Sequence, residues 1–540
     1  MDAVQQLHEV VSWPRNAVIY VFQVFYRLFQ VGIILLFSPN PPKNDHQPSD
    51  KPFGRIAVIG AGLTGVSSAA HCIAHNFDVV LYEENRSIGG IWSHVNSTSG
   101  LQINSMIYRF HPGVFWREGF PRRDEILGEI TKIWKQYKLE SRTRFNTKVT
   151  KVRRANETGV HEKGKRSKWL INDGEDREFD AVICTVGTCG KPMTKGFEGE
   201  DKFEQNGGWV VHSSELDELS GSGEDEDEKS DKQESNGHAN GHSKKSFDVR
   251  GKTMIIVGSG ASGVEAAEWA VEKGADKVWI LARDDKWIIP RNVVFDTFLS
   301  MQPFGREMPL SFIPEWFIRK FHYGDLAERV APAPGTRGLF EGTPVVNDTI
   351  LNHIRCGKVV YERCDTQRFT SEGVLVKKHT DKEEEVEIKA DVVVLATGFE
   401  RPGIDFLPED LFPERYERPN LYLQNFATED WSVLLTNAAY QNAIGTVGHF
   451  HIGIYTRILL TFLLDKGARP EGEDMKLWVD VLRWFKRGAR GGALGFFTYM
   501  ELTIWLFTFH LLRPDRLRWI FFIMQGWGVT YEDADRLRVE

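Results

Sequence analysis

Residues 55–65 read RIAVIGAGLTG, a run of apolar and β-branched residues followed by a glycine-rich turn. In a GxGxxG turn the first glycine, Gly60, permits the tight turn, and the second, Gly62, lets the backbone approach a pyrophosphate. The third, Gly65, lets the following helix pack closely on the strand. Because the N-terminus of that helix offers free N–H groups to phosphates, we predict a strand, turn and helix that bind a dinucleotide.

A second copy of this pattern lies further along the chain. Residues 254–257 (MIIV) precede the turn GSGASG, whose glycines are Gly258, Gly260 and Gly263. A single turn of this type is weak evidence, but both copies follow a predicted strand and precede a predicted helix. We therefore expect an α/β fold with two Rossmann-like dinucleotide-binding domains, each holding its own cofactor.

The residue that ends the second strand of each unit distinguishes the two nucleotides. Residues 78–83 (DVVLYE) end in Glu83, and a carboxylate at this place accepts hydrogen bonds from ribose hydroxyls, as FAD and NAD sites require. The corresponding strand of the second unit ends in Arg283, a cation suited to a 2′-phosphate. The second nucleotide is therefore predicted to be NADPH rather than NADH.

Composition excludes several classes of function. The chain has 540 residues, of which 41% are hydrophobic and 26% charged, and this length favours several domains. A net charge of -8 offers no electrostatic basis for binding nucleic acid. Five cysteines with no metal-ligand spacing indicate neither a metal site nor a disulfide framework. Nothing in the sequence indicates an oligomeric state.

The N-terminal part contains an apolar segment, residues 17–37, which is long enough for a helix to cross a bilayer. Gln23, Arg27 and Gln30 interrupt it at positions that share one helical face, so an amphipathic helix lying in the membrane surface is the alternative to a span. The following residues, 38–52, contain five prolines and indicate an extended linker.

The C-terminal part is also apolar, over residues 495–512, and a polar break at 513–516 follows. We interpret it as an interfacial segment, and helices buried in a large core are the alternative for both ends. We therefore expect hydrophobic terminal membrane-attachment segments that bind lipid. The body is predicted to face the cytosol, at the endoplasmic reticulum, because the cations that follow the N-terminal segment outnumber those before it.

Three further motifs accompany the two glycine-rich turns. Residues 89–92 (GGIW) follow the first unit, Asn104 precedes a serine, and residues 396–399 (ATGF) follow a buried strand and include Thr397 and Gly398. With these motifs the chain resembles the flavin-containing monooxygenases, single-component enzymes of the dimethylaniline monooxygenase kind, over about residues 55 to 470. The resemblance implies FAD and NADPH as cofactors.

One family element is imperfect in this chain. The fingerprint Phe-x-Gly-x-x-x-His, followed four residues later by an aromatic residue, is matched by Gly208 and His212. However, Asn206 stands at the Phe position and Leu216 at the aromatic position. This departure puts the subclass in doubt and not the flavoprotein assignment.

The resemblance implies a reaction and a set of site residues. NADPH reduces the flavin, O2 adds to form a C4a-hydroperoxyflavin, and one oxygen atom passes to a lipophilic small molecule, at nitrogen or sulfur. Asn104 is the expected catalytic residue, beside the flavin and the retained NADP+. The expected cofactor-binding residues are Gly60, Gly62, Gly65, Glu83, Gly90, Trp92, Asn104, Gly258, Gly260, Gly263, Arg283, Thr397 and Gly398.

The resemblance implies the order of the FAD and NADPH domains, whereas hydropathy predicts the two ends and low hydrophobicity with dense charge predicts the insert. The expected segments are an anchor and linker (1–50), an FAD domain (51–205 and 385–470), an NADPH domain (206–384) with a disordered acidic insert at 221–245, and a hydrophobic, membrane-associated region (471–540).

Other functional classes remain as alternatives. A Baeyer–Villiger monooxygenase acting on a ketone is the nearest, because residues 283–291 resemble its Arg-x-x-x-Trp-x-x-Pro-Arg stretch. Those enzymes use an arginine just before a proline, and this chain has Gly342-Thr343-Pro344 at that place. A disulfide reductase would need a redox pair after Gly90, where Ile91 and Trp92 stand. The remaining alternative is a catalytically silent, membrane-attached flavoprotein scaffold.

Overall fold

The structure is a computed structural model of the 540-residue chain. It describes residues 21–42, 52–155, 167–172, 174, 176–194, 196–219, 247–300, 309–342, 344–379, 384–438, 451–485 and 494–527. The predicted acidic insert at 221–245, the first residues of the predicted anchor and most of the predicted linker lie outside these described residues.

The helices and strands follow in chain order. Up to residue 155 they are α1 (21–37), β1 (Arg55–Ile59), α2 (Leu63–Ala74), β2 (Asp78–Tyr82), α3 (Arg123–Gln136), β3 (Thr143–Arg144) and β4 (Val152–Arg154). From 167 to 300 they are β5 (Trp169–Ile171), β6 (Ala181–Cys184), α4 (Glu200–Gln205), β7 (Trp209–His212), α5 (Leu216–Leu219), β8 (Thr253–Val257), α6 (Ala261–Glu272), β9 (Lys277–Ala282), β10 (Ile288–Ile289) and α7 (Val293–Ser300).

The second half of the chain also contains both helices and strands. From 309 to 395 the elements are α8 (Phe312–Phe317) with a π-helical turn (Ile318–Tyr323), α9 (Ala327–Val330), β11 (Val345–Val346), α10 (Ile350–Arg355), β12 (Val359–Phe369), β13 (Gly373–Lys378), β14 (Glu385–Lys389) and β15 (Val392–Leu395). The last are β16 (Val433–Leu434), α11 (His451–Leu464), α12 (Gly472–Phe485), α13 (Leu494–Leu511) and α14 (Trp519–Gln525).

The first glycine-rich turn belongs to a parallel sheet. Among the described residues it has five strands in the order β16-β6-β1-β2-β3. Nearly every residue of β1, β2 and β6 is buried, as expected for a parallel sheet covered on both faces. Helix α2 packs on this sheet and against α11. This is the first predicted Rossmann-like domain.

The second glycine-rich turn belongs to a larger, mixed sheet. In the part of the chain that the structure covers, its seven strands run in the order β14-β13-β12-β9-β8-β15-β7. Strands β7, β15, β8, β9 and β12 are parallel, and β13 and β14 extend the edge in antiparallel pairing. The predicted α/β fold with two Rossmann-like domains is therefore confirmed.

One predicted domain boundary is wrong. The second part of the FAD domain was predicted to begin at residue 385, but β14 and β15 belong to the sheet of the second turn. The chain returns to the first sheet only at β16, which pairs with β6. Both sheets contain short apolar strands with the same period, so the sequence pattern did not distinguish which sheet β15 joins.

The two hydrophobic ends differ from their prediction. Within the described residues, no helix combines the length and apolar character that crossing a bilayer requires, so the predicted transmembrane helix is not found there. The face that α1 turns to the body carries Gln30, which is fully buried, whereas Gln23 and Arg27 on the predicted polar face are exposed.

The predicted C-terminal membrane region is in part a core element. Trp505 and Phe509 of α13, and Phe522 of α14, are buried in the same cluster as the helices of the first domain. The buried guanidinium of Arg457 on α11 donates to the carbonyl oxygens of Ile523 (2.8 Å) and Met524 (3.1 Å), so it holds the end of α14. Residues 528–540 of the predicted region lie outside the described part.

Candidate functional site

A cavity of about 2280 Å³ joins the two domains. Its lining includes Gly60 and Gly62 of the first turn together with Gly258 and Gly260 of the second. Both turns follow the carboxyl ends of their strands, β1 and β8, which is where open α/β sheets bind ligands. One continuous space is therefore accessible to both predicted nucleotide sites.

The first turn leaves no room for a side chain at its first and third glycines. A Cβ atom at Gly60 would lie 2.8 Å from the Thr185 carbonyl oxygen, and one at Gly65 would lie 1.8 Å from the Gly60 carbonyl oxygen. Gly90 has a positive φ of 58°, and its Cβ would lie 3.0 Å from the Gly62 Cα. The result is a bare backbone wall at the N-terminus of α2. Such a wall fits the pyrophosphate of FAD.

Glu83 lies beside this wall, as predicted. Its side chain is 5% exposed, and its Oε2 accepts a hydrogen bond from the backbone N–H of Ala61 at 2.7 Å. Its Oε1 accepts from the backbone and side-chain nitrogens of Asn85 at 2.9 and 2.8 Å. These bonds fix the carboxylate at the cavity, and its remaining lone pairs can accept from ribose hydroxyls.

The second turn has the same construction and adjacent cations. A Cβ atom at Gly258 would lie 2.5 Å from the Ala396 carbonyl oxygen, and one at Gly263 would lie 2.0 Å from the Gly258 carbonyl oxygen. The Lys286 Nζ lies 3.5 Å from the Cβ position of Gly260. This arrangement fits the phosphates of NADPH.

Lys286 is a site residue that the sequence analysis did not identify. It lines the cavity together with Arg337, and burial followed by the charge of Arg337 lowers its pKa. An anionic ligand at the turn would relieve both effects. Arg283 also lines the cavity, as predicted, but its side chain is 75% exposed and its Nε lies 3.4 Å from the Asp284 carboxylate.

Asn104 lies in the wall between the domains. Its backbone N–H donates to the Asp296 Oδ2 at 2.7 Å, and its Oδ1 accepts from the Met106 N–H at 2.9 Å. The side chain thus closes a local turn. The neighbouring residues Gln102 and Ile103 line the cavity, whereas Asn104 is not in the lining. Its catalytic role stays a prediction.

Two carboxyl groups of the second domain contact this wall, and neither was predicted from the sequence. Asp296 of α7 and Glu265 of α6 line the cavity, and burial raises the pKa of each to about 7. Glu265 accepts hydrogen bonds from Ser99 Oγ (3.0 Å) and Gln102 Nε2 (2.9 Å). These side chains can hold a proton near neutral pH. No local motif marks them, because they meet the wall only in the folded chain.

The imperfect family fingerprint lies at the junction of the domains. His212 Nδ1 hydrogen-bonds Ser214 Oγ at 2.8 Å, and its Nε2 hydrogen-bonds the Gly398 carbonyl oxygen at 3.1 Å. A Cβ atom at Gly208 would lie 2.4 Å from the ring of Phe203, so the displaced phenylalanine packs directly on that glycine. The fingerprint histidine and glycine therefore keep a structural role although Asn206 replaces the expected phenylalanine.

The remaining predicted residues lie at the cavity. Thr397 and Gly398 line it, and the Thr397 hydroxyl donates to the Met193 carbonyl oxygen. Trp92 lines it as well and is half-buried against the core of the first domain. Gly65 and Gly263 lie behind the lining and bring each helix close to its turn.

Models of two known protein families match this chain, one over the first glycine-rich turn and both over the second. A model of the family described as pyridine nucleotide-disulphide oxidoreductase matches residues 54–294. A model of the flavin-binding monooxygenase-like family matches residues 237–438. The two matches together cover both glycine-rich turns and the cavity between them.

Individual relatives come from two classes of monooxygenase. The dimethylaniline monooxygenase [N-oxide-forming] 4 of Mus musculus is 25% identical over 431 residues, which are 71% of this chain and 67% of that protein. A Baeyer–Villiger monooxygenase of Pseudomonas aeruginosa is 22% identical over 244 residues, 44% of this chain and only 39% of that protein. A solved steroid monooxygenase bound to NADP has the same fold, with a TM-score of 0.57 and 16% identity over 83% of this chain and 97% of that one.

Proposed function

Since this chain belongs to the flavin monooxygenase family, with FAD and NADPH as its cofactors, we propose that it inserts one oxygen atom of O2 into a lipophilic small molecule. The accepting atom is a nitrogen or a sulfur, as in an enzyme of the dimethylaniline monooxygenase type. The observation that carries this proposal is the single cavity into which both bare glycine turns open. A hydride donor and a flavin bound at these turns would share one cavity.

The residues of this chain bind and orient the two nucleotides and protect the reaction from water. When bound, FAD and NADPH supply the redox and oxygen chemistry. Glu83 and the backbone at Gly62 hold the first nucleotide, and Lys286 with the backbone at Gly260 holds the second. The Asp296 carboxyl, which contacts the wall at the Asn104 N–H, can hold a proton inside the cavity at neutral pH.

A lipophilic substrate is supported by apolar side chains in the cavity lining, among them Ile103, Leu339 and Phe340. Apolar side chains that line a cavity favour an apolar ligand.

We also propose that the protein associates with a membrane surface, with its body on the cytosolic side of the endoplasmic reticulum. The outer face of α1 supports this association, because Phe22, Phe25 and Leu28 are all more than half exposed. α13 and α14 add Phe507 and Phe521 to the exposed apolar surface. Exposed apolar residues on the outer face of a helix are typical of interfacial helices.

Baeyer–Villiger oxidation of a ketone is the second candidate, and one observation favours it. This chain has Gly342-Thr343-Pro344 where that class has an arginine before a proline, and the Arg337 guanidinium lies beside Gly342. A Cβ atom at Gly342 would lie 2.7 Å from the Arg337 Nε, and Arg337 lines the cavity. If the activity is of this kind, Arg337→Ala removes ester formation from a ketone and leaves FAD content unchanged.

The decisive experiment uses the purified full chain. We expect flavin absorbance, O2 uptake that depends on NADPH, and mass spectra in which one atom of isotopic O2 appears in an N-oxide or S-oxide. An ester from a ketone would instead support the second candidate. A protein with flavin and no NADPH-dependent O2 uptake would favour the scaffold alternative, and a protein without flavin would contradict the flavoprotein assignment.

A further inference from the structure

Residues 101–118, here called the wall segment, form one side of the cavity without regular secondary structure. All of them are described, and none lies in a helix or a strand. Leu101, Gln102, Ile103 and Tyr108 line the cavity. Because irregular backbone is not fixed by a hydrogen-bond ladder, the shape of the wall segment depends on what its polar groups contact.

We propose that helix α1 is a positioning element of this cavity wall and acts through Gln30 and Tyr26. The statement that the wall encloses a monooxygenase site rests on the proposed function, whereas the contacts themselves do not. Helix α1 lies before residue 54, where the family matches begin, so it is an addition to the shared domains.

Gln30 binds the wall segment through both atoms of its amide. Its Nε2 donates to the Trp116 carbonyl oxygen at 2.8 Å, and its Oε1 accepts from the Trp116 backbone N–H at 2.8 Å. The side chain is completely buried. It therefore pairs with Trp116 as a neighbouring strand would, and this pairing fixes the backbone there.

The same Gln30 oxygen also serves a buried cation. Arg109 is 1% exposed, and its Nη2 donates to the Gln30 Oε1 at 2.7 Å, while its Nη1 donates to the Val114 carbonyl oxygen. Removal of the amide would leave a buried guanidinium donor without this acceptor, which is costly. Gln30 thus holds both the backbone and the charged side chain of the wall segment.

Tyr26 lies one helical turn before Gln30 and contacts the part of the wall segment nearest to Asn104. Its hydroxyl hydrogen-bonds Ser105 Oγ at 2.8 Å, and Ser105 Oγ donates to the Glu118 carbonyl oxygen at 2.7 Å. Both ends of the wall segment are therefore connected to one face of α1. On the opposite face Phe25 is 67% exposed, so the same helix provides a control.

The test compares hydrogen exchange of the full chain in Tyr26→Phe, Gln30→Ala and the control Phe25→Ala. We expect exchange in residues 101–118 to rise about 10-fold in the first two variants and to stay unchanged in the control. Unchanged exchange there in both folded variants would overturn the proposal. If Gln30→Ala does not fold, Tyr26→Phe decides, because it removes only one hydroxyl.

A second measurement separates positioning from general stability. A loosened wall admits water, so Tyr26→Phe should release more hydrogen peroxide per NADPH oxidised, without a change in the KM for NADPH. Gln30→Glu keeps the acceptor for Arg109 and should restore part of the exchange protection lost in Gln30→Ala. Positioning would be contradicted if Tyr26→Phe lowered the melting temperature but left the peroxide yield unchanged, and if Gln30→Glu restored no exchange protection. Absence of flavin in the wild type would refute the proposed function alone, since the exchange experiment needs no cofactor.

Discussion

At Gly62 the charge of a substituted side chain should matter more than its size. Its Cβ position lies 3.6 Å from the Gly90 Cα, an ordinary contact, at the N-terminus of α2. We expect Gly62→Asp to purify without FAD, because a carboxylate there repels the pyrophosphate, whereas Gly62→Ala keeps the cofactor. Flavin absorbance of the purified variants measures this. Full FAD occupancy in Gly62→Asp would refute the assignment.

Arg283 and Lys286 should make separable contributions to NADPH binding. Arg283→Ala loses a contact with the 2′-phosphate and should weaken NADPH about 10- to 150-fold, which is about 1.5 to 3 kcal/mol, with NADH little changed. Lys286→Ala should weaken the binding of NADPH and of NADH alike, because the Lys286 Nζ lies at the turn that binds the pyrophosphate, which both nucleotides contain. Titration of each variant with both nucleotides tests this. An unaltered NADPH preference in Arg283→Ala would assign the selection to another residue.

Asp296 should make stability depend on pH. Burial raises its pKa in the folded chain to about 7, from about 3.9 in an unfolded chain. The folded state binds the proton more tightly, so the group's contribution to stability is full below pH 4 and is lost as pH rises through 7. Relative to Asp296→Asn, the wild type should lose at most about 4 kcal/mol of unfolding free energy between these values. Denaturant unfolding at pH 5 and pH 8 measures the unfolding free energies of both proteins. If their difference were the same at both pH values, the prediction would be contradicted.

Among the elements, α13 has two faces with opposite roles. Trp505 is 3% exposed within the core of the first domain, whereas Phe507 is 60% exposed. Trp505→Ala should lower the free energy of unfolding by about 3–5 kcal/mol, because it leaves a cavity. Phe507→Ala, two residues away, should stay within about 0.5 kcal/mol of the wild type. Urea denaturation measures both. Equal effects would mean that α13 is not packed as described.

The elements also show which parts of the fold were predictable. Strands β1 and β8 and their glycine turns were predicted, because apolar β-branched runs and GxGxxG spacing are local signals. The domain boundary near residue 385 was not predicted correctly, because the pairing of β15 with β8 depends on tertiary contacts. The same reason hid Asp296 and Glu265, which belong to α7 and α6 and contact Asn104 and Gln102 of the wall segment.

Helix α1 illustrates a more specific error. The spacing of Gln23, Arg27 and Gln30 correctly indicates a helix, but only Gln30 of these is buried. The buried face is set by Gln30 and Tyr26, since these two contact the wall segment. Sequence periodicity identifies polar residues that share a face. It does not tell which of them has a buried partner.

For the molecule as a whole, the exposed apolar surface leads to a prediction about membranes. Full-length protein should sediment with lipid vesicles and be released by carbonate, as expected of a protein that lies on a surface. Phe25→Asp with Leu28→Asp, on the outer face of α1, should reduce sedimentation without loss of FAD. Deletion of residues 1–50 should in addition disturb the wall segment, since Gln30 is lost. Full-length protein that does not sediment would contradict the membrane proposal.

The return of the chain to β6 has a consequence during synthesis. Strand β16 completes the first sheet only about 250 residues after β6 leaves the ribosome, a delay of about 12 to 50 s at typical rates of translation. The larger sheet is complete by Leu395, so the NADPH domain can finish folding first. During that interval the free edge of β6 and the surface later covered by α11 are open to aggregation. We therefore expect the nascent chain to need chaperone protection before its release and not only after it.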